Sequence, residues 1–336
     1  GELDNGMNVS LSFIIDQADD STTGLANSPF DSHSVTISSD ALGSFKFSGE
    51  GGSSAQGAMD AGAAGDLWNN GTGVAEITGA AAGNNSMFYT LPSMVDGLEV
   101  TASMSPGKAA QETHTSYGVA YTGVEGLTVK FGQGDSGAPG AEIESTTMMA
   151  SYAIGSFTVS ASNTEADKTG ANNREVRSYQ VAYTLSDSMS ATYGTETYET
   201  VGSSTDEEID SLGVSYTTGG MTLSATTFDT EGAGNTAGAK TESLTKLVAS
   251  VKAGPATVVA AYAMTNDKDG STARAHGVDM TGDHDAKANF AGKVIHLDDL
   301  DDAKAWLIGG SMKVAGATVG AHYISATSDK TTGSNT

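Results

Sequence analysis

The stretch Gly134-Asp135-Ser136-Gly137-Ala138-Pro139 resembles the segment that carries the nucleophilic serine of trypsin-like proteases. Hydrolysis by such a serine needs a base histidine seated in a fitted core. No upstream segment has the pattern that carries one, and His33 and His114 fall at the ends of polar connections. The overlapping run Gly132-Gln133-Gly134-Asp135-Ser136-Gly137 fits G-x-G-x-x-G, but a phosphate cradle also needs a helix to follow. Ala138-Pro139-Gly140 prevents a clean one, so the run is expected to be a glycine-rich loop. The six histidines are scattered, and the spacing of His276, His284 and His296 matches no zinc site. Asp267-Lys268-Asp269-Gly270 begins like a calcium loop but lacks the later ligands and the bidentate glutamate, which leaves a plain turn. The chain has no cysteine, which excludes thiolate catalysis, disulfides and Cys-ligated metal together.

The charged residues offer a different chemistry, the screening of solutes by a fixed field. Lys46, Lys130, Lys252 and Lys313 each lie a few residues from a tight turn, at Gly43, Gly126, Gly254 and Ala315-Gly316. At ~3.3 Å of rise per residue, all four sit roughly 10 Å or less from the rim where those turns lie. Glu99 shares that level, and Asp60, Asp66 and Glu76 belong to one long Gly/Ala-rich segment, residues 51–85. Acids on that segment, set against a basic collar across a narrow passage, would create a transverse field that orients charged solutes. The opposite rim collects Asp16, Asp19, Asp20, Asp31, Glu112, Asp135, Glu142, Glu144, Glu199, Asp206, Glu207, Glu208 and Asp210. The run Asp298-Asp299-Leu300-Asp301-Asp302 adds to them. These acids are expected to form a vestibule that gathers cations.

The elements that must position these charges are strands. Apolar and polar residues alternate in runs joined by tight turns, such as Ala41-Leu42-Gly43, Asp96-Gly97, Ile154-Gly155-Ser156, Gly219-Gly220 and Gly254-Pro255. Successive hairpins are separated by longer polar segments. Side chains on a strand point alternately to opposite faces, so Val9/Leu11/Phe13, Phe45/Phe47, Tyr179/Val181/Tyr183 and Trp306/Ile308 define one face. The other face is nearly all Ser, Thr, Gly, Gln, Lys or Glu. Alternation alone fits a soluble sandwich as well as a barrel. The tyrosines decide: Tyr117, Tyr121, Tyr152, Tyr183, Tyr193, Tyr216, Tyr262 and Tyr323 sit near strand ends in the apolar phase, where a lipid interface selects amphipathic rings. Short turns on one rim and long loops on the other are the pattern of a transmembrane antiparallel up-and-down β-barrel. The expectation is all-β, a single barrel over residues 1–336 with 16–20 strands, 16 or 18 favoured because bacterial barrels close on even numbers. Gly1 opens directly onto a turn and the far end stops in a loop, so the N-terminal hairpin and the closing C-terminal strand are expected to lie outside the sequence.

Residues 2–106 resemble, part by part, the alphaproteobacterial general porins. Leu3-Asp4-Asn5-Gly6-Met7 followed by an alternating run is similar to a turn and strand of that family. Val35-Thr36-Ile37-Ser38-Ser39-Asp40 and Gly43-Ser44-Phe45-Lys46-Phe47 resemble the hairpin before its constriction loop. Residues 51–85, with Met59-Asp60, Asp66-Leu67-Trp68 and Glu76, resemble that loop. The resemblance implies a homotrimer of water-filled barrels passing small hydrophilic solutes, with residues 51–85 folded inward. The pore constriction would then be built from Asp60, Asp66, Glu76, Lys46, Lys130, Lys252, Lys313 and Glu99.

A net charge of −25 opposes nucleic acid as a partner and favours cations, including divalent ions at an anionic outer leaflet carrying lipopolysaccharide. No run of about 18 apolar residues exists, which excludes a transmembrane helix and leaves a barrel untouched. No cofactor is expected, although the acidic loops offer oxygen ligands to calcium. The rival reading is an extracellular β-rich surface or adhesion protein with such calcium-binding loops. An enzyme on a β-sandwich is the third.

Overall fold

A computed structural model describes residues 1–15, 30–60, 62–65, 67, 77, 79–107, 112–202, 206–232, 242–267, 277–278, 295–296, 304–315 and 317–327. Asp16, Asp19, Asp20, Asp66, Glu76, His276, His284 and Asp298 to Asp302 lie outside the described residues. The strands are β1 (Asn8–Ile15), β2 (Phe30–Ser39), β3 (Gly43–Glu50), β4 (Ser86–Thr90), β5 (Leu98–Ser105), β6 (His114–Tyr121) and β7 (Leu127–Ala138). They continue as β8 (Ala141–Ile154), β9 (Phe157–Lys168), β10 (Arg174–Ser186), β11 (Met189–Thr200), β12 (Glu207–Thr218) and β13 (Met221–Gly232). The last are β14 (Glu242–Ala253), β15 (Ala256–Asp267), the two-residue pair β16 (Gly277–Val278) and β17 (Ile295–His296), then β18 (Lys304–Val314) and β19 (Ala317–Thr327).

Seventeen of these strands form one antiparallel sheet in which each pairs with its neighbours in sequence. The count falls inside the expected range, between the two favoured values. With an odd number the edge strands β1 and β19 run the same way, and they share no register among the described residues. The chain already runs antiparallel to β1 before its first turn: Gly1 donates to Val9 O at 2.7 Å and Val9 N to Gly1 O at 2.8 Å. The first turn needs Gly6 at φ 78°, and Gly43, Gly97 and Gly126 take the same left-handed backbone in turns of the short rim.

The two faces of the sheet are inverted relative to a soluble protein. Leu11, Phe13, Ile154, Phe157, Val159, Tyr183 and Ile308 are exposed, whereas Ser48, Thr101, Ser116, Ser145, Thr147 and Ser178 are buried. A soluble sandwich would hide the first set in its core. Apolar side chains left outward over a whole sheet have hydrocarbon as their solvent, which removes the sandwich and the extracellular surface protein. Aromatic pairs run along the exposed face, with Phe157 stacked on Tyr183 at 4.4 Å between centroids and Trp306 tilted against Tyr323 at 5.2 Å.

Two expectations about the faces are corrected. The inner phase is not uniformly polar. On β11 to β18 it carries Tyr198, Ile209, Phe228, Leu244, Ala263 and Leu307, which form a buried cluster with Ala64 and Leu67. Nor does the glycine run at 132–137 form a loop, because it lies inside β7 in register with β8 from Gly132↔Thr147 to Gly137↔Glu142. Glycine there clears space on the inner face.

Cysteine at Thr158 should react with a water-soluble thiol reagent in reconstituted protein, whereas cysteine at the adjacent Val159 should not. Equal labelling at the two positions would contradict the assignment of faces.

Candidate functional site: the inner face and its inserted segment

Residues 51–85 connect β3 to β4, and the described ones dock on the polar face of the sheet. The neck is a two-bond bridge, with Gly52 N to Gly83 O and Gly83 N to Gly52 O both at 3.0 Å. From there the segment crosses successive strands. Ala55 N donates to Ser103 Oγ of β5 and Ser116 Oγ of β6, both at 2.9 Å. Gln56 Nε2 donates to Thr147 Oγ1 of β8 at 2.7 Å, and Gln56 Oε1 accepts from Ala80 N at 2.9 Å, so one fully buried side chain ties the outgoing limb to the returning one and to the wall. Ala63 N reaches Ser162 Oγ of β9 at 2.9 Å, Ala64 N reaches Ser178 Oγ of β10 at 2.7 Å, and Leu67 N reaches Glu196 Oε2 of β11 at 2.7 Å. The track from β5 to β11 covers six strand spacings, about 29 Å at ~4.8 Å each.

Small residues make that track possible. A Cβ on Gly118 would lie 2.7 Å from Ala55 O and Met59 Cγ, and one on Gly132 would lie 2.9 Å from Gln56 Cα. On β11, a Cβ on Gly194 would come within 2.8 Å of Ala64 Cβ. Thr101, Gly118, Gly132, Thr147 and Thr164 fall on a single cross-strand row. The wall under the segment is therefore a shelf of hydroxyls and glycines that offers hydrogen bonds without bulk.

Glu196 is the hub at the far end of the shelf and is 1 % exposed. Its Oε1 accepts from Ser178 Oγ at 2.9 Å, and its Oε2 accepts from Leu67 N and from the Tyr198 hydroxyl. Each of these three groups donates, so the carboxylate is satisfied as an acceptor. Leu67 then buries its side chain in the apolar cluster beside Ile209 and Phe228. A hydrogen bond and apolar burial thus fix the same residue.

The structure places the remaining expected site residues as follows. Asp60 is half-buried on the segment and accepts from Thr164 Oγ1 at 2.9 Å. Lys46 and Lys130 are half-buried in the inner phase; Glu99, Lys252 and Lys313 are exposed in it. Glu99, Ala120 and Lys130 lie on one row, which puts the Glu99 and Lys130 backbones two strands, about 10 Å, apart. That row continues through Met149, Ser162 and Ser178 to Glu196, so Lys130 is level with the far half of the segment. Thr164, which holds Asp60, lies two strands and two residues from Lys130, roughly 12 Å along the wall. Lys252 and Lys313 stand on the distant strands β14 and β18 and join neither group. Lys46 on β3 lies four strands and four residues from Lys130, about 23 Å along the wall, so the expected collar is not one continuous ring of charge.

The acidic rim is also redistributed. Asp135, Glu144, Glu199, Glu208 and Asp210 share the phase of the exposed apolar residues on their strands and face outward. Asp210 accepts from the outward Tyr193 hydroxyl at 2.8 Å, and Glu199 holds the outward Arg177 at 2.6 Å. Glu207 points inward. Gln56, Glu196 and the hydroxyl shelf were not legible as a site. Their one signal was a cluster of small residues on the inner phase of β5 to β10, at Thr101, Ser116, Gly118, Gly132, Thr147, Ser162, Thr164 and Ser178.

No curated protein matches the sequence. The solved structure of an anion-selective porin from Comamonas acidovorans is similar, with TM-score 0.50 and 13% identity over 69% of this chain and 76% of that one. OmpT from the outer membrane of Vibrio cholerae aligns with TM-score 0.43 and 18% identity, over 88% and 81%. OccK10 (OpdN) of Pseudomonas aeruginosa aligns with TM-score 0.48 and 9% identity, over 96% of both chains. A family model of the Gram-negative porins matches residues 1–187 and 164–291, most of the sequence. By that match and by a barrel wall turned apolar side out, the chain belongs to the Gram-negative porin family, and its strands cross the outer membrane.

Proposed function

We propose that the barrel is a passive diffusion pore for small hydrophilic solutes, narrowed by residues 51–85, and that three copies associate in the membrane. The observation that carries this reading is the docking of the segment along one inner wall, beside Lys130 and Glu99 and away from Lys252 and Lys313. Asp60 on the segment and the lysines of the inner wall give the narrowed section opposed charges. A transverse field of that kind orients a dipolar solute and slows an unscreened ion of either sign. Asp66 and Glu76 are proposed to join Asp60, and no resident cofactor or metal enters the mechanism.

The pore is further proposed to be weakly cation-preferring. The inner wall carries the four lysines, so the preference has to come from the acids at the mouth. Several of those face outward, yet at ~0.01 M ionic strength the Debye length is ~30 Å and they still contribute to the potential over the opening. At ~1 M it falls to ~3 Å and the contribution is lost.

Two measurements test this. Glu196→Ala removes the acceptor for Leu67 N, Ser178 and Tyr198, each a buried donor costing about 1–3 kcal/mol to leave unpaired. The far half of the segment should detach, raising single-channel conductance and exposing residues 62–67 to protease; a deletion within 57–65 should raise conductance further. Unchanged conductance in both would place the narrowest section elsewhere. Reversal potentials in a salt gradient should show a small cation preference at low salt that disappears near 1 M, and Lys46→Gln with Lys130→Gln should enlarge it. Anion selectivity at low salt would refute the mouth-acid argument.

A further inference from the structure

The outward face of β12 to β18 contains an open hollow of about 570 Å³ with almost no polar surface. Its floor is made by Ala225, Ala249 and Ala260, and its walls by Leu247, Tyr262 and Trp306. The registers explain it. Leu223, Ala249, Ala260 and Ile308 form one cross-strand row, and Ala225, Leu247, Tyr262 and Trp306 form the next. Alanines adjacent across the rows leave a trough among large neighbours. A trough in a surface bathed by hydrocarbon has to be filled, because an empty one forfeits its dispersion contacts.

The charge above the trough identifies what fills it. Lys304 continues the outward phase of Trp306 and Ile308 toward the long-loop rim and stands two residues, about 7 Å, beyond Trp306. It is exposed, and among the described residues no carboxylate pairs with it. Another outward-facing cation at that rim, Arg177, is held by Glu175 at 2.8 Å and Glu199 at 2.6 Å. The nearest outward acid among the described residues, Asp229, is three strands from Lys304, about 14 Å across the sheet. Trp306, 40% exposed, lies between the ammonium and the apolar floor, where an indole belongs at the headgroup boundary.

The geometry points to a binding site for a phosphorylated, multiply acylated lipid of the outer leaflet, the lipid A class. One acyl chain lies in the alanine trough and a phosphate bonds to Lys304. Along β18, the site extends about 13 Å from Lys304 to Ile308, and the alanines admit a chain where any larger side chain would close the trough. A second copy of the barrel could fill the hollow, but it would leave the Lys304 ammonium without an anion.

The test uses the full chain with Trp68→Phe, which leaves Trp306 as the sole tryptophan. In vesicles of dibrominated phosphatidylcholine, Trp306 fluorescence should be quenched, and adding unbrominated bis-phosphoryl lipid A should relieve the quenching at low mole fraction. Lys304→Gln should need about tenfold more lipid A for the same relief, the scale of one charge-assisted bond. Ala249→Phe, which fills the trough, should abolish the preference for lipid A over phosphatidylcholine. Both variants should keep the parent's conductance, since neither residue faces the lumen. Absence of quenching in phosphatidylcholine alone would mean that another copy covers the hollow, and equal relief in parent and Lys304→Gln would remove the phosphate contact. Either result overturns the proposal.

Discussion

Backbone amides inside a membrane have no water to bond, so each must find a partner within the protein. The sheet meets this demand by pairing each strand with its neighbours in sequence, and the rest of the structure follows from that choice. Once strands supply the backbone bonds, side chains alternate between two solvents, lipid outside and water inside. A hydrophobic core in the usual sense has no place. What remains of one is the small cluster around Leu67, Ile209 and Phe228, on the inner face where the inserted segment meets the wall. Apolar burial here locates a segment against a wall already held by its hydrogen bonds.

That segment shows how polar chemistry can do the work of packing. Serine and threonine hydroxyls reach only a short distance, so they hold a backbone close to the wall, and glycines between them give it room. A single longer acceptor, Glu196, gathers three donors where the track ends. Lysine or glutamine at those wall positions would push the segment toward the middle of the passage. Wall side-chain size and passage width are therefore linked.

The sequence disclosed the parts of this arrangement that depend on period and failed where height or cover matters. Alternation assigned Phe45, Val159 and Ile308 to the outer face, and the turns set off residues 51–85 as one long connection. The same alternation could not reveal how far up a strand the lipid ends. Asp135, Glu144 and Asp210 therefore read as lining a vestibule although they face outward. Gly132 and Gly134 read as loop because glycine is rare inside strands, yet here Gly132 admits the backbone at Gln56 and Gly134 clears the side chains of Ser116 and Ala80. The inner position of Ile209 and Phe228 was lost because an apolar residue on a polar face is intelligible only once its cover, Leu67, is known. Glu196 had no local signature: its donors come from residues 67, 178 and 198.

The shelf has an order of events built into it. Its hydroxyls are contributed by strands from β5 to β11, all of which follow residues 51–85 in the chain. The segment is thus synthesised before any of its anchors. During that interval it must avoid binding elsewhere, and a composition of mostly alanine, glycine, serine and asparagine gives it little to bind with. A stickier plug would have been more firmly seated at the end and more dangerous on the way. The scattered hydrogen bonds that hold it suit a component that is made first and installed last.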